Sequence, residues 1–298
     1  MGQIMSEPDI SNGGMSDGGI SSVVYSCTFA NYDYTLGPLA RTPGAQFLRF
    51  GTTRPNRHRI WQHKPIPAHM TQGTQTLTNR RFKLFPGEVL PDCDVAIYVD
   101  GNILIRTDLT PLIREFWDSG ADIALFPHPS GRSLEEEIDY STGYTIPEAH
   151  TPLVEEQARI YRDADIMDHK ISENTILFYR MRSPKVAQIG AQWWDHLERF
   201  CKRDQISLPY AIRQAQPKVH YWDWHFHNAS EKNIYFARSG HRATDPFSRF
   251  KSVAFFMQEF SWPHKLAAKA IYMGAGLVAP IRRLFGIERG PRVRRKSL

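Results

Sequence analysis

The chain has 298 residues, 41% of them hydrophobic, which suits one large α/β domain or two small ones and needs no covalent staples. Its three cysteines, Cys27, Cys93 and Cys201, lie far apart without metal-knuckle spacing; they exclude a disulfide scaffold and read as thiols of a reducing compartment. The formal net charge of +6 sits entirely between Arg282 and Leu298, where seven basic residues meet one acid, so the neutral remainder argues against a nucleic-acid-binding domain.

In chain order, Met1 to Ser22 is a Gly/Ser/Met-rich leader without periodicity, and it reads as disordered. It has no apolar secretory core. Its Met1-Gly2 start with Ser6 matches an N-myristoylation pattern that chance also produces in such a leader. Strands are expected over Val23–Thr28, Phe47–Phe50, Val95–Val99, Ile103–Ile105, Ile123–Phe126 and Thr175–Tyr179. One helix is expected from Thr110-Pro111 to Gly120, with Pro inside its start and Gly past its end. Another opens at Ser183-Pro184 and lines up Val186, Ile189, Trp193, Leu197 and Phe200 on one face. Strands alternating with helices predict a mostly parallel sheet covered on both sides, with ligands bound beyond the carboxyl ends of its strands. From Trp262 to Phe285 apolar and basic residues mix; this is either an interfacial amphipathic helix or a helix packed on the domain's own core. The organisation expected is a leader (1–22), one domain (23–262) and a basic tail (263–298).

The strand Val95–Val99 delivers Asp100, Gly101 and Asn102 at its end. A carboxylate and an amide oxygen there can meet a divalent cation that neutralises a donor diphosphate, and Gly101 lets the backbone approach a sugar. Asp-Gly between apolar runs is also, and more commonly, a β-hairpin signal. Arg80, Arg81 and Lys83 can grip phosphate, although a short basic cluster alone is more often solvated surface. His128 and Arg132 follow a strand end and suit a hydroxylated or anionic ligand, and Glu135-Glu136-Glu137 marks a helix start. Asp204 and Gln205 offer a carboxylate, which can act as a base, and an amide for sugar hydroxyls. His220, His225 and His227 lie in an aromatic-rich stretch that permits metal ligation, with His225 the chosen ligand between Trp224 and Phe226.

Taken together and in order, four segments resemble a family formerly called a domain of unknown function and now called glycosyltransferase-like. Its members include plant mucilage-related hexosyltransferases, a turgor-defect protein named as a ceramidase, and bacterial proteins. The segments are Val24–Phe29 with Asn31-Tyr32-Asp33; Asn79–Lys83, Leu90-Pro91 and Tyr98–Ile103; His128-Pro129 with Arg132 and the glutamates; and Trp193-Trp194 with Arg203–Ser207 and Pro209-Tyr210. The resemblance spans Val23 to Gln214. It implies a GT-A-like nucleotide-sugar fold, with Phe29 and Asp33 at the nucleotide. Asp100 and Asn102 would stand at the family's Asp-x-Asp position, the second acid here being an amide. The resulting expectation is a hexosyltransferase with catalytic Asp100 and Asp204. Arg80, Lys83, Gly101 and Asn102 would bind the donor, and His128, Arg132 and Gln205 the acceptor. Mn²⁺ would sit on Asp100, Asn102 and His225. The expected partners are a nucleotide-sugar, a glycan or lipid acceptor, an anionic membrane surface through the tail, and no nucleic acid. The expected location is the cytoplasm, peripheral at the inner membrane face. A metal-dependent, ceramidase-like hydrolase and a non-catalytic carbohydrate-binding protein are the alternatives.

Overall fold

A computed structural model describes residues 19–29, 37–52, 60–227, 231–238 and positions 263, 266, 267 and 270. Asp33, the myristoylation pattern and nearly all of the basic tail lie outside the described residues; the four described tail positions are helical.

The elements in chain order are β1 (Ser22–Thr28), β2 (Ala45–Gly51), β3 (Gln62–Lys64), α1 (Gln75–Leu84), β4 (Val95–Val99), β5 (Ile103–Ile105), α2 (Thr110–Asp118) and β6 (Ile123–Pro127). They continue with α3 (Leu134–Tyr144), α4 (Thr151–Asp163), β7 (Ser172–Arg180), α5 (Pro184–Arg199), α6 (Asp204–Ala215), β8 (Val219–Tyr221) and β9 (Phe236–Arg238). Seven strands form one sheet in the order β3-β2-β1-β4-β7-β6-β8. All neighbouring pairs are parallel except those of β7, which runs against both β4 and β6. The sequence expectation of a mostly parallel, helix-covered α/β sheet is therefore met.

The alternation of side chains explains the layers. Tyr25, Ala96, Tyr98, Leu177 and Tyr179 face one core with Phe82 of α1, Trp193 and Leu197 of α5, and Leu208 of α6. Val24, Val95, Ile97, Ile176 and Phe178 face the other with Leu112, Ile113 and Phe116 of α2, Trp222 and Trp224. A third cluster joins α3 and α4 to Ile206 of α6. The helix ends follow local chemistry. Ser133 and Glu136 form a reciprocal capping box on α3, so the glutamate run does open a helix. Gly120 takes φ +66° just past α2. Gly190 lets α5 press on α1, since a Cβ there would sit 2.5 Å from the Leu84 carbonyl oxygen.

The hairpin reading of Asp100-Gly101 is corrected. Asp100 to Ile103 is a turn, closed by the Ile103 N–H donating to the Asp100 carbonyl at 3.0 Å. The strands on either side separate: β4 sits between β1 and β7, whereas β5 pairs with β9 in a second, two-stranded sheet. Both β4 neighbours are taken by longer strands, so β5 cannot fold back on it.

Candidate active site

A cleft of about 290 Å³ opens at the carboxyl ends of β1 and β4. Cys27, Thr28 and Phe29 come from the end of β1, Asp100 from the end of β4, and Asn79, Arg80 and Lys83 from α1. Because β7 is antiparallel, its beginning reaches the same edge and supplies Glu173, Asn174 and Thr175. Arg203, Asp204 and Gln205 at the start of α6, and Arg238 at the end of β9, complete the wall. A crevice at this edge is where an open α/β sheet places its ligand.

Two aspartates occupy opposite electrostatic situations. Asp204 is buried, and its Oδ2 accepts a 2.7 Å hydrogen bond from Lys83 Nζ. Its Oδ1 lies 3.4 Å from Arg80. Burial pushes this carboxyl up, but Arg80, Lys83 and the Lys83 hydrogen bond outweigh it and hold the pKa well below the ordinary range. The backbone is held too: the Asp204 carbonyl accepts from Trp193 Nε1 at 3.1 Å and Asn174 Nδ2 at 3.2 Å. Asp204 is therefore a fixed anion and a weak base.

Asp100 differs. Its Oδ1 accepts a 2.8 Å hydrogen bond from Tyr98 Oη, and its N–H donates to the Thr175 carbonyl at 2.8 Å. Burial raises its pKa above the ordinary value, since the pull of Lys83, Arg80 and Tyr98 does not fully compensate and the Asp204 charge adds to the rise. Neighbouring carboxylates pushed apart in this way divide roles, one permanently ionised and one able to exchange a proton or attract a cation.

The site also holds a group that sequence reading missed. Glu173 is buried, and its Oε2 accepts from His227 Nε2 at 3.1 Å and from Arg238 Nη1 at 3.0 Å, with His128 Nε2 at 4.0 Å. Burial pushes this carboxyl up, but the His227 hydrogen bond and the Arg238 charge prevail and hold it below the ordinary range. The available signal was a polar Ser172–Thr175 opening on an otherwise apolar strand. A third buried acid, Glu137, receives Arg203 at 2.8 and 3.1 Å and pairs with Arg132. The three buried acids thus aim Arg80, Arg203 and Arg238 along the cleft wall.

Of the residues expected at the site, Phe29, Arg80, Lys83, Asp100, Asp204 and Gln205 line the cleft; Gly101, Asn102, His128, Arg132 and His225 are not among its lining residues. Lys83 is buried and turned to Asp204 rather than presented to a phosphate. Asn102 is buried. His225 shares a 3.0 Å hydrogen bond between its Nδ1 and the Pro127 carbonyl. Among the described residues no three His, Cys, Asp or Glu side chains are grouped to hold a metal ion; of the three expected ligands, Asp100 lines the cleft, and Asn102 and His225 are not among its lining residues. The residues present do not fit a self-sufficient metal centre.

A family model described as TOD1/MUCI70, glycosyltransferase-like domain, matches residues 74–241. This is more than half of the chain, and the protein belongs to that family. The match extends beyond Gln214 and takes in the histidine-rich stretch, which the sequence resemblance had left out. No curated protein matches the chain. Among solved structures it is similar to the WbbM bifunctional glycosyltransferase in its apo form, with 11% identity and a TM-score of 0.47, covering 70% of this chain and 40% of that one. The chain thus spans about two fifths of that protein's length. It is also similar to mouse xyloside xylosyltransferase 1, with 10% identity and a TM-score of 0.40 over 68% of this chain and 85% of that one. An active-site mutant of LgtC matches with 12% identity and a TM-score of 0.45 over 86% and 95% of the two chains.

Proposed function

We propose that the protein transfers a hexose from a nucleotide-sugar donor to a glycan or lipid-linked acceptor in the cleft between Asp100 and Asp204. The observation that carries this reading is the joint placement of one carboxylate with a raised pKa, one carboxylate paired with cations and three anchored guanidiniums at the carboxyl edge of the sheet, in a chain of the glycosyltransferase-like family. Arg80, Arg203 and Arg238 present planar donors suited to phosphate oxygens. Asp204 and Gln205 face the sugar hydroxyls, and Asp100 takes up the proton or cation at the reacting end. A carboxylate with a raised pKa is the better base of the two.

Asp204 and Glu173 are held by cationic side chains, so a divalent cation entering the cleft would turn to Asp100. The donor diphosphate would have to supply the remaining oxygens, so a metal such as Mn²⁺ is expected to bind only together with the nucleotide. None of His220, His225 and His227 lines the cleft, although His227 touches Glu173 of its wall, and the family match favours glycosyl transfer over the hydrolase reading built on Asp100 with the histidines. We further propose that the tail beyond residue 262 meets an anionic membrane surface, which would place the enzyme at the cytoplasmic face of that membrane.

The direct test is calorimetry and donor turnover with UDP, GDP and their hexose derivatives, with and without Mn²⁺. Binding of a nucleoside diphosphate and slow hydrolysis of one sugar derivative are expected. If no nucleotide binds under either condition, the reading fails.

A further inference from the structure

Tyr98 lies on β4 two residues before Asp100, so the two side chains stand on one face of the sheet. It is fully buried and is not among the residues lining the cleft. Its ring is fixed by packing. Tyr25, its partner on β1, meets it edge-on with ring centroids 5.4 Å apart at 72°. Lys83 Nζ lies over the ring at 5.3 Å from its centroid while bound to Asp204. The hydroxyl faces two acceptors, Asp100 Oδ1 at 2.8 Å and Asn79 Oδ1 at 3.5 Å. The Asn79 amide is itself oriented, because its Nδ2 donates to the Cys27 carbonyl at 2.7 Å and leaves its oxygen turned to Tyr98. A phenol has one proton to donate, and the closer, charged acceptor takes it.

Asp100 needs such a hold. Its N–H bond to the Thr175 carbonyl fixes the backbone alone. The terminal torsion of an aspartate is broad, so the carboxylate turns freely unless a partner stops it. Among the described residues Tyr98 supplies the hydrogen bond that does so. With Oδ1 occupied, Oδ2 is the oxygen left for a reactant. A reacting group must be held to within about half an ångström to be effective, and a packed core ring is a rigid support.

We propose that Tyr98 is the positioning residue of the transfer reaction, holding Asp100 by Oδ1 so that Oδ2 meets the substrate; this rests on the glycosyltransferase reading above. Tyr98 touches no substrate and exchanges no proton in the reaction. Its ring also bears on Lys83, which holds Asp204, so one buried side chain sets the spacing of the two cleft aspartates.

The test uses the full chain with Tyr98→Phe, Asp100→Asn, the pair together, and Asp100→Glu. Acceptor-free hydrolysis of UDP-glucose, UDP-galactose and GDP-mannose is followed at saturating Mn²⁺, beside UDP and GDP affinity by calorimetry. Tyr98→Phe keeps the ring contacts and should stay folded by circular dichroism. It should lower kcat by roughly tenfold or more, with KM and nucleotide affinity within about twofold of wild type. In the Asp100→Asn background the same change should alter kcat by less than about twofold, because the carboxylate it positions is gone. Asp100→Glu keeps the charge but carries it one methylene past the fixed hydroxyl, and should lose turnover as Asp100→Asn does. An unchanged kcat in Tyr98→Phe overturns the proposal, as does an equal loss in both backgrounds, a loss confined to nucleotide affinity, or wild-type turnover in Asp100→Glu. If the wild type binds neither UDP nor GDP, the donor reading itself falls; a wild type that binds nucleotide while Tyr98→Phe leaves kcat unmoved removes the positioning role alone.

Discussion

Lys83 is buried to 1% exposure, with its Nζ placed between the Asp204 carboxylate at 2.7 Å and the Tyr98 ring at 5.3 Å. Desolvating a lysine and an aspartate together is tolerable only while both are present. Lys83→Met should therefore cost about 3 kcal/mol in urea unfolding, because Asp204 loses its closest cation and keeps the more distant Arg80 and Arg203. Asp100 should behave in the opposite sense. Its raised pKa means that the folded chain disfavours the ionised form, a penalty that grows as pH rises from the ordinary aspartate range through the raised folded value. Asp100→Asn removes that penalty and keeps an acceptor for Tyr98. It should leave the fold intact, stabilise it at neutral pH and lower donor turnover by about 100-fold or more. Undiminished turnover in a folded Asp100→Asn protein would remove Asp100 from the chemistry. For Asp204 the folded pKa is depressed. Its contribution is complete above the ordinary aspartate value and is lost as pH falls through the folded one. Stability measured from about pH 7 down to about pH 2 should fall less steeply in Asp204→Asn than in the wild type, from a lower starting point.

At the scale of elements, β7 is the decisive strand. Were it parallel, its beginning would lie at the far edge of the sheet and Glu173 could not meet Arg238. As built, Glu173 joins the sheet to the segment from His227 to Arg238, and so to the small β5–β9 sheet that follows Asp100. Glu173→Gln would keep the shape but weaken the hold on His227 and Arg238. It should raise the apparent Kd for nucleoside diphosphate by about tenfold while turnover at saturating donor changes less. An equal loss in both would place Glu173 at the reacting centre instead.

For the whole molecule, the formal +6 charge lies in the last seventeen residues and the remainder is formally neutral, which is what the proposed membrane contact rests on. Each basic residue near an anionic bilayer contributes about 1 kcal/mol, so the tail should give salt-sensitive adhesion. Co-sedimentation with phosphatidylserine vesicles should capture the full chain and release a form ending at His264. Equal behaviour of the two would refute a membrane role for the tail.

The long strands and the two strongly amphipathic helices α2 and α5 were legible along the chain, because side-chain alternation, Pro at helix starts and Gly past a helix end are local properties. So were the pieces of the cleft, Asp100, Arg80 and Asp204-Gln205, as residue types suited to a nucleotide sugar. The three-residue strands β3, β8 and β9 were not, being too short for any period to register and, unlike the all-apolar β5, carrying a polar or charged residue. α4 was overlooked although Pro152 and the spacing of Val154, Ala158 and Tyr161 mark it. α6 is disguised by its polar start and internal Pro209. The partners within the site were equally hidden. Lys83 meets Asp204 across 121 residues and Glu173 meets Arg238 across 65. No local pattern encodes such pairs. They depend on strand order and direction, and their pKa values depend on how much water the assembled fold removes. A free aspartate at either position titrates alike; the packed sheet edge holds the Asp204 pKa below the ordinary range and pushes that of Asp100 above it.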